Sequence, residues 1–288
     1  MGGVFIRRVI FDIVAVFAII GLYLLVDPPI RIVSQLPTFP VGVEIVAKPG
    51  VASYDVSIVQ RTVCLTTKLL EENYSLTRGQ DIKIILVPDA FSYSVILQQD
   101  ENLGSDMSLY LASHSFGATN NNHIIINVGG ISGYNDTLFV TAHELTHQYQ
   151  IAEAGQWNRL SWLMEGMADM VAAQVVNANT VTNGESEVDR YRLTWLNALR
   201  STQSKPNLKK LDTRQDWLLD FQNNGPITYR TADLAVLNLA DSRKSTNFKT
   251  YMNRLREGVD PEQAFQSAFG VTSSAYTQEY EDWIANNL

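Results

Sequence analysis

Hydrophobic positions fall into short β-branched runs in the first half of the chain and into helical repeats in the second, with the change near residue 135. From Pro28 to Pro49 five prolines interrupt two short apolar pieces, which suits a stalk or a first edge strand. Val56, Val59, Val63, Thr66 and Leu70 then recur at helical spacing behind Ser53 or Asp55, and Asn73 with Gly79 closes the segment. Ile82 to Val87 is a β-branched run stopped by Pro88 and reads as a strand. Val95 to Leu97 and Ser108 to Ser113 are weaker strand candidates around a polar loop, and His123 to Val128 is a clear strand framed by asparagines and Gly129-Gly130. Beyond it, Asp136 or Thr137 opens a helix to about Glu153 with Gly155 as its stop, and Ser161 opens another to about Val176. Pro226 and Asp260-Pro261 mark later helix starts, Gly270 a stop, and a last helix spans about Ser273 to Asn286. The pattern predicts an α+β fold: a small mixed β-sheet packed on a helix that contains His143, followed by a mostly helical C-terminal subdomain.

One segment stands apart. Arg7 and Arg8 precede an apolar run from Val9 to Val26, broken only by Asp12 and ended by Asp27-Pro28-Pro29. Such a run can just cross a hydrocarbon core of about 30 Å, and the arginines favour a cytoplasmic N-terminus. The expected organisation is therefore an anchor or signal over residues 1–27, a stalk over 28–50, and one domain over 51–288, sheet-bearing to about 135 and helical from 136. The expected location is a membrane-anchored protein with its catalytic domain outside the cytoplasm, secreted if the segment is cleaved. A formal net charge of -8, with Lys and Arg scattered, leaves no basic stripe for nucleic acid. Cys64 is the single cysteine, so neither an internal disulfide nor a cysteine-based metal site can form.

The chemistry concentrates in two short blocks. His143-Glu144-Leu145-Thr146-His147 puts two imidazoles on one helix face, one turn apart, where both can reach a single ion. Two of the chain's four histidines fall here, which makes chance clustering a poor explanation. Glu144 lies about 100° around the helix, placed to reach a water on the metal as a general base. Catalytic zinc takes three protein ligands and leaves one position open, so a third donor is expected nearby. Glu165, an acid inside the otherwise apolar Trp162 to Asp169 block, supplies it, since an ion removes the cost of burying a lone carboxylate. Asp169, one turn later, can fix the tautomer of a ligating imidazole. His114 and His123 lie in or beside polar loops and are assigned structural roles. Tyr276, Tyr280 and Trp283 have helical spacing and are assigned to the core.

These two blocks, with Gln148, resemble the peptidase MA-like gluzincin group of zinc metallopeptidases, distantly related to thermolysin. The resemblance extends through Tyr229, Asp260 to Phe265 and Ala268 to Gly270, and so covers Leu138 to Trp283. It implies Zn2+ on His143, His147 and Glu165, Glu144 as general base, Tyr229 as the phenol that steadies the oxyanion, and a peptide or protein substrate. The Gly-x-Met-Glu-Asn signature by which related aminopeptidases hold an amino terminus is missing at Asn127 to Ile131, which favours an endopeptidase. A strand there could still pair with an extended peptide. Two alternatives have different chemistry: a catalytically inactive, zinc-containing anchored binding or chaperone module, and a hydrolase of non-peptide substrates. Retention of Glu144 speaks against the first; the second shares the same water activation.

Overall fold

A computed structural model describes residues 38–100, 104–120, 123–155, 159–179, 186–202 and 207–288. The first of these form strand β1 (Val43–Ala47), helix α1 (Ser53–Asn73), β2 (Ile82–Val87), helices α2 (Ala90–Asp100) and α3 (Ser105–His114), then β3 (Gly117–Thr119) and β4 (His123–Asn127). The sheet order is β1-β2-β4-β3, with β3 antiparallel to β4 and the other neighbours parallel. Parallel neighbours need crossovers, which α1 and the α2–α3 pair supply. The two-residue period of the strands divides the core. Ile82, Ile84, Leu86, Ile124 and Ile126 join the main cluster with α1 and the later helices, whereas Ile85, Val87 and Ile125 meet Tyr93, Ile96, Leu97 and Ala112 of the α2–α3 pair.

Two expectations change here. Val95 to Leu97 and Ser108 to Ser113 are helical, because Asp89 caps the first helix by accepting from the Ser92 N–H at 2.7 Å and each helix has one apolar face to lay on the sheet. The stretch expected as a stalk or edge strand contributes β1, in register with β2.

The remaining helices are α4 (Tyr134–Ala154), α5 (Ser161–Asn179), α6 (Glu187–Arg200), α7 (Arg214–Asn224), α8 (Pro226–Ser242), α9 (Thr246–Arg256), α10 (Pro261–Phe269) and α11 (Ser273–Asn287). Helix α4 begins two residues before Asp136, behind Gly133 at φ 124°, and stops at Gly155 at φ 78°, a conformation that favours glycine. Helix α5 is apolar on nearly all sides and sits at the centre of the bundle. At Gly166 it meets α8 backbone to backbone: a Cβ there would stand 2.5 Å from the Ala232 carbonyl oxygen. That close approach carries the first turn of α8, with Tyr229 and Arg230, toward the acidic residues of α5. Tyr276 and Tyr280 are core residues, as expected, and Tyr276 stacks on Trp162 at 5.8 Å.

Among the described residues no helix is long and apolar enough to cross a membrane. This finding overturns the expected membrane-anchored location. The long helices lay their apolar surface inside the protein: α1 keeps Lys68 and Glu72 on its exposed side, and α5 is covered by its neighbours. The run from Val9 to Val26, on which the expectation rested, lies outside the described residues.

Asp212 connects the start of α5 to the chain ahead of α7, accepting from the Trp162 indole N–H at 3.1 Å. Burial pushes its carboxyl up to about 6 despite that bond. A raised folded-state value favours the fold while the group is protonated, and that advantage is lost as pH rises through about 6. Asp212→Asn keeps an acceptor for Trp162 and removes the charge. It is expected to stabilise the fold above pH 6 by less than about 1 kcal/mol given its partial exposure, seen as a higher melting temperature, with the gain shrinking toward zero near about pH 4. Thermal melts across that range check this, and equal gains at both ends would contradict it.

Candidate metal centre

Helix α4 delivers His143, Glu144 and His147, and the facing helix α5 delivers Glu165 and Asp169. Nε2 of His143 and Nε2 of His147 stand 3.0 Å apart, and Glu165 Oε2 lies 3.5 Å from the first and 3.4 Å from the second. Among the described residues this is the group whose donor atoms converge in a way that could hold a metal ion. The triangle is close to the ligand separations of about 3.4 Å that a tetrahedral ion with bonds of about 2.1 Å requires. Two imidazole nitrogens this close repel through their lone pairs unless a proton or cation lies between them.

The outer nitrogens are already engaged. His143 Nδ1 lies 2.6 Å from Asp169 Oδ1 and His147 Nδ1 lies 2.8 Å from Gln150 Oε1. Each ring can therefore donate outward through Nδ1 and keep Nε2 facing inward, the arrangement that metal ligation needs. The Gln150 amide is itself oriented, donating to the Met164 carbonyl at 2.9 Å. Sequence reasoning placed Asp169 in this layer and missed Gln150, whose only signal is its position three residues after His147 on the same face. Behind Asp169, Arg230 Nη1 approaches Oδ2 at 3.7 Å and pairs with Asp233 at 2.9 Å, tying α8 to α5.

Electrostatics favour a cation. Burial opposes charge on His143, yet the charge of Asp169, hydrogen bonds to Asp169 and Glu165, and the charge of Glu144 raise it well above the ordinary imidazole range. Burial likewise opposes charge on Glu165, and the two imidazoles outweigh it, holding the carboxyl well below its usual range. The side chains of His143, His147 and Glu165 keep 12, 13 and 16% of their surface exposed, so one face of the triangle stays open. A structural site would be closed by a fourth protein ligand.

Glu144 is buried beside the cluster, its Oε2 accepting from the Thr119 hydroxyl at 2.6 Å. Tyr229 stands in the first turn of α8, its ring centroid 6.4 Å from that of His143, with Trp217 and Phe221 of α7 in edge contact at 4.9 and 5.6 Å. Burial first, then the charges of Glu165, Asp169 and Glu144, raises its phenol well above the ordinary range, so it remains a proton donor at neutral pH. His114 is exposed and stacked on Tyr110 at 4.3 Å, and His123 heads β4 and accepts through its carbonyl from Gln148 at 3.1 Å. Neither joins the cluster.

The strand near Asn127 is corrected. Strand β4 is paired on both sides and runs at once into a 3-10 turn at Val128–Gly130, so it offers no open edge. The open edge beside α4 belongs to β3, and there the sequence reads Gly117-Ala118-Thr119-Asn120-Asn121. Against Gly-x-Met-Glu-Asn this keeps the first glycine and last asparagine, while Thr119 and Asn120 replace the methionine and glutamate. A carboxylate to hold an amino terminus is still missing from the motif. No protein-family model and no curated protein matches the chain.

Proposed function

We propose that this protein is a zinc-dependent metallopeptidase of gluzincin type, cutting peptides at internal bonds. The observation that carries the proposal is the convergence of His143 Nε2, His147 Nε2 and Glu165 Oε2 within 3.5 Å of one another, beside a buried Glu144 that the cluster does not use as a ligand. Two imidazoles and one carboxylate with an open face suit zinc in a catalytic setting. When bound, zinc supplies Lewis acidity toward the scissile carbonyl and makes the attacking water more acidic.

The chain's own groups do the rest. Glu144 accepts a proton from the water and returns it to the leaving amine. Asp169 and Gln150 hold the imidazoles in one tautomer. Tyr229, kept protonated, donates to the oxygen on which negative charge develops. The open edge of β3 can meet an extended peptide at Thr119, the Gly117 main chain being bonded to the Ser115 hydroxyl, and Asn120 in place of a glutamate leaves no anion in that motif to select a free amino terminus.

Digestion of a mixed peptide library by the zinc-loaded protein tests the cleavage mode. Cuts at internal bonds are expected; release of amino-terminal residues alone would contradict endopeptidase action. Tyr229→Phe in the same assay is expected to lower kcat by about 10²- to 10³-fold with KM nearly unchanged, because the lost donor acts mainly in the transition state. An unchanged kcat would remove Tyr229 from the mechanism.

A further inference from the structure

Strand β3 touches Glu144 at both carboxylate oxygens. The Thr119 hydroxyl lies 2.6 Å from Oε2 and 3.0 Å from the Glu144 carbonyl oxygen, its one proton shared between them. Two residues earlier, a Cβ on Gly117 would stand 2.5 Å from Oε1 and 2.8 Å from the carboxyl carbon. The ladder explains why these two residues act together. Asn127 N–H donates to the Phe116 carbonyl and Asn120 N–H to the His123 carbonyl, so the residues between, Gly117 and Thr119, turn their main-chain groups to the open edge. Being two apart, they present the same face of the strand to α4.

We infer that Thr119 is a positioning residue for the Glu144 carboxylate, and that Gly117 is the clearance that lets the carboxylate lie against the strand. The inference rests on the proposed role of Glu144 as base. A glutamate side chain loses rotamer freedom when held in one place. The Thr119 hydroxyl meets that cost before substrate arrives, and it occupies one oxygen while leaving acceptor capacity on the other. No other pair of residues in β3 can do both jobs: Ala118, between them, faces the opposite core cluster.

Thr119→Val keeps the shape and removes the donor. It is expected to retain metal and fold and to keep KM near the parent value, while kcat falls about 10- to 100-fold, the scale of a displaced reacting group. Thr119→Ser is expected to restore most of the loss, which a purely steric role would not. Crystal structures of the zinc-loaded parent and Thr119→Val give a readout free of turnover: the Glu144 carboxylate should move when the hydroxyl is absent. Gly117→Ala, which crowds Oε1, should move it as well and serves if the valine variant does not fold. A carboxylate in the same place in the variants, or parent-like kcat in Thr119→Val, overturns the inference. Parent-like turnover in Glu144→Gln would overturn the base assignment instead, and the crystal comparison would still decide whether Thr119 positions the side chain.

Discussion

Glu144→Gln is expected to keep the metal and the fold while peptide hydrolysis falls by at least about 10²- to 10⁴-fold, the range assigned to general-base catalysis. The substitution is well matched to the site. Its amide oxygen can still accept from the Thr119 hydroxyl that now donates to Oε2 at 2.6 Å, so the side chain keeps its place against β3. What it loses is the ability to take a proton. Steady-state kinetics on one peptide, with metal content measured on the same sample, separate the two effects. Hydrolysis at the parent rate would show that Glu144 is not the base. Loss of the metal together with activity would show that it contributes to binding.

His143→Ala and His147→Ala are each expected to reduce bound zinc to near zero. Each removes one of three ligands and also strands an outer partner, Asp169 in the first case and Gln150 in the second. Glu165 would then be a nearly buried carboxylate facing a single imidazole, which holds a divalent ion poorly. Asp169→Asn leaves all three ligands, loosens the hold on the His143 ring and removes the charge that faces Arg230, so its expected cost is about 10- to 100-fold in metal affinity. Metal analysis after dialysis against a weak chelator ranks the variants. Full zinc in both histidine variants would rule out the proposed ligand set.

The helix pair of the candidate metal centre was legible because its signal is local. Two histidines four apart on one helix, and an acid buried in the apolar block of α5, announce themselves within a few residues. The strands Ile82–Val87 and His123–Asn127 were equally visible, since continuous β-branched runs bounded by Pro, Asn and Gly have few other uses. Helices α2 and α3 were misread because apolar residues such as Phe91, Met107 and Leu109 also stand off the sheet-facing side and blur the helical period, and their helicity is fixed by a cap and by the sheet face they cover. Strand β3 was invisible for a different reason. Three residues, of which only Thr119 favours a strand, carry too little preference to be read, and β3 exists because β4 offers it a ladder. Thr119 and Gly117 could not be assigned without that ladder, since Glu144 is some two dozen residues away in sequence. Gln150 needed the rotamer of His147, and the tertiary approach at Gly166 decided where Tyr229 stands.

The most direct test of a zinc peptidase is reversible dependence of peptide cleavage on the metal. The protein is stripped with a chelator, reconstituted with zinc, and given a broad peptide library before and after, with bound zinc measured at each step. Internal cuts by the zinc-loaded protein, their loss on stripping and their return at one zinc per chain are the expected result. A protein that binds one zinc and cuts no peptide in the library, or one that cuts equally well after complete stripping, would contradict it.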